Sequence, residues 1–155
     1  MKNSEEYIPS TEDVPSEGAT GSLMTIPLSS QYVVCTVPHL PHSRLSPNAR
    51  NNPIVRNRYV QAAKEEMEAE ILVMDLRQSP LWEKAHLDIT FSSKDKRRRD
   101  LDNLIASCKA WIDGLVGMVI VDDSADRLSL SAHYEINTEG YTKFVIWNMS
   151  EMSER

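Results

Sequence analysis

The chain has 155 residues, 41% of them hydrophobic, and 17 basic side chains against 23 acidic ones give a formal net charge of −6. This length and apolar content suit one folded domain and exclude a wholly disordered chain. No apolar run approaches the roughly 18 residues that a membrane-spanning helix needs. The acidic start, residues 1–7, lacks the basic head and apolar stretch of a signal peptide, so we expect a cytoplasmic protein with no membrane partner.

The predicted domain begins after an acidic tail. Residues 1–28 are rich in Ser, Glu, Thr, Pro and Gly and show no periodicity, which predicts a flexible segment. The folded domain is expected over residues 29–150, followed by a short tail at 151–155. Its first strand, rich in β-branched residues, leads into a long irregular loop with four prolines over residues 38–53.

Apolar spacing predicts the remaining elements. Helical spacing indicates two amphipathic helices, and alternation of apolar and polar residues indicates three further strands. In the first of these, the face carrying His86 and Asp88 is expected to be solvated. The predicted order is β-α-β-α-β-β, a small single α/β (α+β) domain with a mixed sheet and two main helices: strands at 31–37, 85–91, 128–136 and 141–147, helices at 55–76 and 104–119.

The charges are segregated along the chain. Residues 18–64 contain no acid and five basic side chains, and residues 94–99 contain five basic side chains and one acid. Two separate basic clusters in an acidic protein indicate a polyanionic partner that is bound at defined places. The two cysteines, Cys35 and Cys108, have no companions at metal-ligand spacing, which argues against a zinc site or a disulfide framework. Both fall on apolar positions and are predicted to lie in the core.

Four aspartates follow the second basic cluster in the sequence, as two pairs. Asp100 and Asp102 follow it directly, and Asp122 and Asp123 end an apolar run some twenty residues later. Two acids two residues apart point the same way only on extended chain, so their convergence requires a helix that starts at Asp102 or Asn103. Three carboxylates that meet would repel one another, and a hard divalent cation such as Mg²⁺ would relieve that repulsion.

A structural interpretation of the same residues stays open. Asp102 or Asn103 suits the cap of a helix, Asp100 suits an ion pair with Arg98, and the later acid pair suits a turn. Caps and surface pairs are common, so each acid taken singly carries little functional information.

Three segments together resemble a known family. The stretch RRRDLDNL at 97–104, KAWIDGL at 109–115 and VIVDDS at 119–124 are similar to the RusA-like Holliday junction resolvases, phage-type crossover junction endodeoxyribonucleases among them. The loop LSPNAR at 45–50 is similar to the SxNxR segment of phage-type members. The resemblance covers roughly residues 38–136. It implies a small homodimeric, Mg²⁺-dependent endonuclease of bacteria and their phages, with Mn²⁺ as a substitute metal.

The resemblance also implies roles for individual residues. Asp100, Asp102 and Asp123 would ligate the metal, with Asp122 as the substitute ligand. A lysine on the following helix would assist catalysis. The remaining basic residues would hold the backbone of branched DNA, above all the four-way junction; they are Lys96, Arg97, Arg98, Arg99, Arg44 and Arg50.

The catalytic lysine departs from the family's commoner spacing. That spacing falls on Ala106, whereas Lys109 comes seven residues after Asp102, as though three residues had been inserted. On one continuous helix, Lys109 would lie about 20° around the axis from Asp102 and about 10 Å along it, within reach of a bound phosphate. The alternative is an exposed i, i+4 ion pair between Lys109 and Asp113.

Three functions remain compatible with the sequence. The first is a metal-dependent nuclease that resolves four-way junctions by paired nicks, which requires two sites and therefore a two-fold dimer. The second is a non-catalytic relative that binds branched DNA. The third is a nuclease specific for forks or flaps that uses the same carboxylates.

Overall fold

The computed structural model describes residues 31–150, so the predicted tails at 1–28 and 151–155 lie outside the described residues. The described chain forms one mixed four-stranded sheet and three helices, which confirms the predicted α+β class. Its elements are β1 (Tyr32–Val37), a short 3-10 helix (Ser43–Leu45), α1 (Pro53–Val73), β2 (Ala85–Ser93), α2 (Leu101–Ser107), α3 (Lys109–Leu115), β3 (Leu128–Ile136) and β4 (Tyr141–Asn148).

The sheet has the strand order β1-β4-β2-β3. Strand β4 pairs antiparallel with both β1 and β2, whereas β2 and β3 run parallel with Ala85 opposite Leu128. A parallel pair needs a crossover connection, and α2 and α3 supply it. This connection carries Lys109 and, on either side of it, the acidic segments that the sequence singled out.

Helix α1 begins where the sequence provides a cap. The Asn52 side chain accepts a hydrogen bond from the Val55 N–H at 2.8 Å, and Pro53 occupies the first helical position. The helix ends at Val73, a few residues before the predicted end at 76. The chain turns there because Asp75 adopts a left-handed conformation, with φ at 54°.

The core lies between the helices and one face of the sheet. Leu87, Ile89 and Phe91 of β2 are fully buried, and Trp111 of α3 packs edge-on against Phe144 of β4 with ring centroids 5.8 Å apart. Both cysteines are buried and unpaired, which confirms their assignment to the core.

The predicted second helix is divided at Cys108. The Ser107 hydroxyl donates to the Asn103 carbonyl at 2.7 Å, and the Cys108 N–H bonds to the Ile105 carbonyl at 3.1 Å rather than continuing the α-helical pattern. A serine that bonds back to its own helix competes with the backbone and bends it. The prediction of one continuous helix is therefore wrong, since α2 and α3 are separate; its end, which Gly117 left open in the sequence, lies at Leu115.

The predicted solvation of the second sheet face is also wrong. His86 and Asp88 are each only 3% exposed. The His86 ring contacts the hydroxyls of Ser129 and Ser131 at 2.7 and 3.0 Å, and Ser131 also donates to Asp88 at 2.8 Å. Polar side chains of the parallel neighbour β3 thus satisfy groups that alternation alone assigned to water. Among the described helices, none is long and apolar enough to cross a membrane.

Candidate functional site

The first pair of acids lies at the start of α2. Asp100 occupies the N-cap position in an extended conformation, yet its side chain makes no capping hydrogen bond. Asp102 lies within the first turn, where its carboxylate accepts from the Asn103 N–H at 3.0 Å. The helix thus begins at Leu101, one or two residues before the predicted start. Both carboxylates are exposed, and the charge of each is favourable at a helix N-terminus.

The second pair of acids follows the short bridge in which Ile120 pairs with Trp82 and Val116. Asp122 accepts a hydrogen bond from the N–H of the following residue, Asp123, at 2.9 Å. Asp123 is the less exposed of the two acids, and its carboxylate is bound by the ammonium group of Lys109. This hydrogen bond holds the pKa of Asp123 below its usual range, so the carboxylate is ionised at neutral pH.

Lys109 lies between two carboxylates. Its Nζ donates to Asp113 at 2.5 Å as well as to Asp123. Partial burial opposes the charged form of the lysine, but the hydrogen bonds to both acids raise the pKa of Lys109 above its usual value. The i, i+4 pair that the sequence offered as an alternative is therefore formed, and the lysine contacts a predicted metal ligand at the same time.

The predicted metal ligands fit a divalent cation by their chemistry. All are carboxylates, Asp100 has no partner for its side chain within residues 31–150, and Asp123 is held ionised. Hard cations such as Mg²⁺ prefer such oxygen ligands. Across these same residues, however, no three His, Cys, Asp or Glu side chains are grouped closely enough to hold a metal ion. The structure pairs Asp123 with Lys109 and does not bring it together with Asp100 and Asp102.

The basic loop before α2 is ordered by one of its own arginines. The Arg99 guanidinium binds both carboxylate oxygens of Asp95, at 2.7 and 3.1 Å, and also donates to Ser93 and Tyr134 at 2.9 and 3.2 Å. Arg99 thus connects the loop to the ends of β2 and β3. Its hydrogen bonds hold the pKa of Asp95 far below the usual range and raise the pKa of Arg99 itself.

The other basic segment, which carries Arg44 and Arg50, contacts α2. Arg44 donates to the Asn51 side chain at 2.8 Å, and Asn51 returns a hydrogen bond to the Arg44 carbonyl at 2.7 Å, which closes the loop that carries Arg50. Within this loop, Asn48 donates to Asn103 at 3.3 Å, a contact between residues 55 positions apart. One basic segment therefore precedes the acidic start of α2 in the chain, and the other contacts the first turn of the same helix.

Two of these contacts were not predicted. Asp95 was treated only as the one acid in a basic run, although its spacing of four residues from Arg99 was a signal for a pair. The Asn48–Asn103 contact had no local signal, because it depends on how the loop packs on the helix. Compared with models of known protein families, the chain matches none, and no curated protein matches it significantly. The resemblance to the RusA-like resolvases therefore stays a prediction.

Proposed function

We propose that this protein is a divalent-metal-dependent endonuclease that hydrolyses phosphodiester bonds in branched DNA, with the four-way junction as its substrate. One observation carries the proposal. One basic segment leads directly into the start of α2, the other contacts that helix through Asn48 and Asn103, and the carboxylates at the helix start are exposed. Basic side chains bind the phosphate backbone electrostatically, whereas carboxylates beside them weaken that binding unless they hold a cation.

In this proposal Asp100, Asp102 and Asp123 hold Mg²⁺, or Mn²⁺ in its place. The bound metal supplies a water of lowered pKa and stabilises charge on the phosphate. The Lys109 ammonium group binds Asp123 and lowers its pKa further below neutral, so the carboxylate stays ionised. Asp100 has a free carboxylate at the cap position, where the helix dipole favours negative charge.

Lys109 has a role that this chain's own contacts define. It is 61% exposed at the side chain, so its ammonium group remains accessible to a second anion while it holds Asp123. We assign it to the phosphate that is cleaved, where a fixed positive charge stabilises the charge that builds up during hydrolysis. Lys96, Arg97, Arg98 and Arg50 would bind the flanking backbone and position the DNA without reading its bases.

A two-fold substrate needs two sites, so the proposal includes a homodimer. In this proposal the protein acts in the cytoplasm of the bacterial host, as its resemblance to bacterial and phage enzymes implies.

A second function deserves a test because of a specific observation. Within residues 31–150, no three potential ligands are grouped to hold a metal, and Lys109 occupies an oxygen of Asp123. That arrangement favours a protein that binds branched DNA without cleaving it. A nuclease specific for forks or flaps is the remaining alternative, with the same carboxylates.

The deciding experiment measures cleavage of a labelled mobile four-way junction, a fork and a linear duplex, each with Mg²⁺ and with chelator. Wild type is compared with Asp102→Asn and with the charge-matched control Asp75→Asn. Asp75 follows the C-terminal end of α1, and the length of this helix is about 30 Å, so Asp75 lies far from the basic loop before the helix. Asparagine readily adopts the positive φ of this residue. We expect paired nicks that need the metal, vanish in Asp102→Asn and persist in Asp75→Asn. Tight junction binding by wild type without cleavage in Mg²⁺ or Mn²⁺ leaves only the binding protein.

A further inference from the structure

The basic loop over residues 93–99 is closed into a ring by side-chain contacts. Asp95 accepts from the Arg97 N–H at 2.9 Å while it binds the Arg99 guanidinium through both oxygens. The Asp95 N–H in turn donates to the Ser93 hydroxyl at 3.3 Å, and Arg99 also donates to the Arg97 carbonyl at 3.2 Å. The side chains and backbone of these residues therefore fix one loop conformation.

Arg99 differs from the other basic residues of its loop. Its side chain is 17% exposed, and its contacts all go to the protein. Lys96, Arg97 and Arg98 are exposed, and their side chains make no hydrogen bond within residues 31–150. Nη1 faces an Asp95 oxygen, two hydroxyls and a carbonyl, Nη2 faces the second Asp95 oxygen, and the low exposure of the side chain leaves little of the guanidinium open to a phosphate. The loop thus separates into one arginine that binds protein and three cations that face solvent.

We propose that Arg99 is a positioning residue, which together with Asp95 holds Lys96, Arg97 and Arg98 in place for the DNA backbone and makes no phosphate contact itself. This inference rests on the proposed DNA-binding function and names the residue pair that prepares the surface for it. The inference also explains why the basic loop contains an acid. Asp95 lowers the positive charge of the loop, which weakens its attraction to DNA, but Asp95 also holds the loop conformation through Arg99.

The physical reason is preorganisation. Fixing the backbone of a residue costs conformational entropy, and a loop that is ordered before binding does not lose that entropy when DNA binds. Arginine suits the task because its planar fork matches the two oxygens of Asp95, and lysine offers a single ammonium group instead. A phosphate contact has no such requirement, since lysine also binds phosphate as a point charge.

Charge-conserving and charge-removing variants separate the two roles. Binding of a labelled four-way junction is measured in chelator, so that no cleavage occurs. We expect Arg99→Lys to weaken binding about 5- to 30-fold, the factor that corresponds to one or two kcal/mol, whereas the control Arg77→Lys, at an exposed arginine that follows α1, binds as wild type. Asp95→Asn should also weaken binding, although it removes a negative charge. The matched control Asp75→Asn should bind as wild type or slightly more tightly.

A direct phosphate contact predicts the reverse. If Arg99 binds DNA and Asp95 competes for it, Asp95→Asn binds more tightly than wild type, and Arg99→Lys remains close to wild type. Either result overturns the inference. The double variant of Arg99→Lys with Asp95→Asn should be no weaker than Arg99→Lys alone, because both changes open the same contact.

Hydrogen exchange on the DNA-free protein tests whether Arg99 orders the loop, independently of whether the protein binds DNA. The Asp95 and Arg97 amides should exchange faster in Arg99→Lys than in wild type, with unchanged protection at Ile89 in the core showing that the variant is folded. Unchanged exchange at Asp95 and Arg97 would mean that the contact does not order the loop. Faster exchange together with no DNA binding by wild type would instead refute the proposed function, and with it the role given to Arg99.

Discussion

Gly114 marks the closest approach between two of the helices that cover the sheet. It lies in α3, and a Cβ added there would come within 2.9 Å of both the Lys64 carbonyl oxygen and the Met67 Cβ in α1. Neither atom is the end of a flexible side chain, so Gly114→Ala must push α3 away from α1 by about 0.6 Å or more to reach ordinary contact distance. Such overpacking costs about 1–3 kcal/mol, and the better helix propensity of alanine returns up to about 1 kcal/mol.

The expected net result is a loss of about 1–2 kcal/mol in the free energy of unfolding, or about 2–8 °C in the melting temperature of a chain this size. Urea unfolding followed by tryptophan fluorescence measures it. The matched control is Gly140→Ala, where the nearest atom to the new Cβ is the Lys94 Cγ at 3.6 Å, an ordinary contact. That variant should keep the wild-type stability or gain up to about 1 kcal/mol. A Gly114→Ala protein as stable as wild type would refute the packing argument.

Three further predictions follow from burial and charge. Lys109→Met should raise the pKa of Asp123 towards its ordinary value, and a carboxyl carbon NMR titration that shows no change would contradict the ion pair. Burial lowers the pKa of His86, so the unfolded chain takes up its proton first and the free energy of unfolding should fall from pH 7 to pH 5. His86→Asn should show a smaller fall in urea titrations, and an equal one would exclude His86 as the cause. Burial raises the pKa of Cys35 to about 12 and also raises that of Cys108, so neither should react with a thiol reagent at pH 8 until urea is added.

Most of the secondary structure could be predicted because apolar periodicity reports on a single buried face. The strands were found in the correct order, and α1 differed chiefly at its end, where Asp75 turns the chain. The break at Cys108 was missed because the apolar stripe continues through it, and only the hydrogen bond from Ser107 back to Asn103 reveals the bend. Burial of Asp88 was missed for a related reason, since its partner Ser131 lies on another strand, 43 residues later in the sequence.

In the candidate site, too, the local contacts could be predicted from the sequence and the contacts between distant residues could not. The pair between Lys109 and Asp113 was foreseeable because four residues make one helical turn, and that separation is local. The contacts of Lys109 with Asp123 and of Asn48 with Asn103 join residues that are distant in sequence, so no periodicity announces them. Residue types and charge clusters therefore indicated which chemistry was present, and only tertiary packing decided which groups meet.

The helix break bears directly on the displaced lysine. Relative to the commoner spacing of the RusA-like family, the extra residues are 106–108, and the chain leaves α2 and enters α3 at this point. The rotation and rise that one continuous helix would give Lys109 relative to Asp102 therefore do not apply. Instead the new helix starts at Lys109, and Trp111, one of its buried residues, anchors it in the core. The ammonium group of Lys109 contacts Asp123, so the lysine places its charge on a predicted metal ligand although its position differs from the family's commoner spacing.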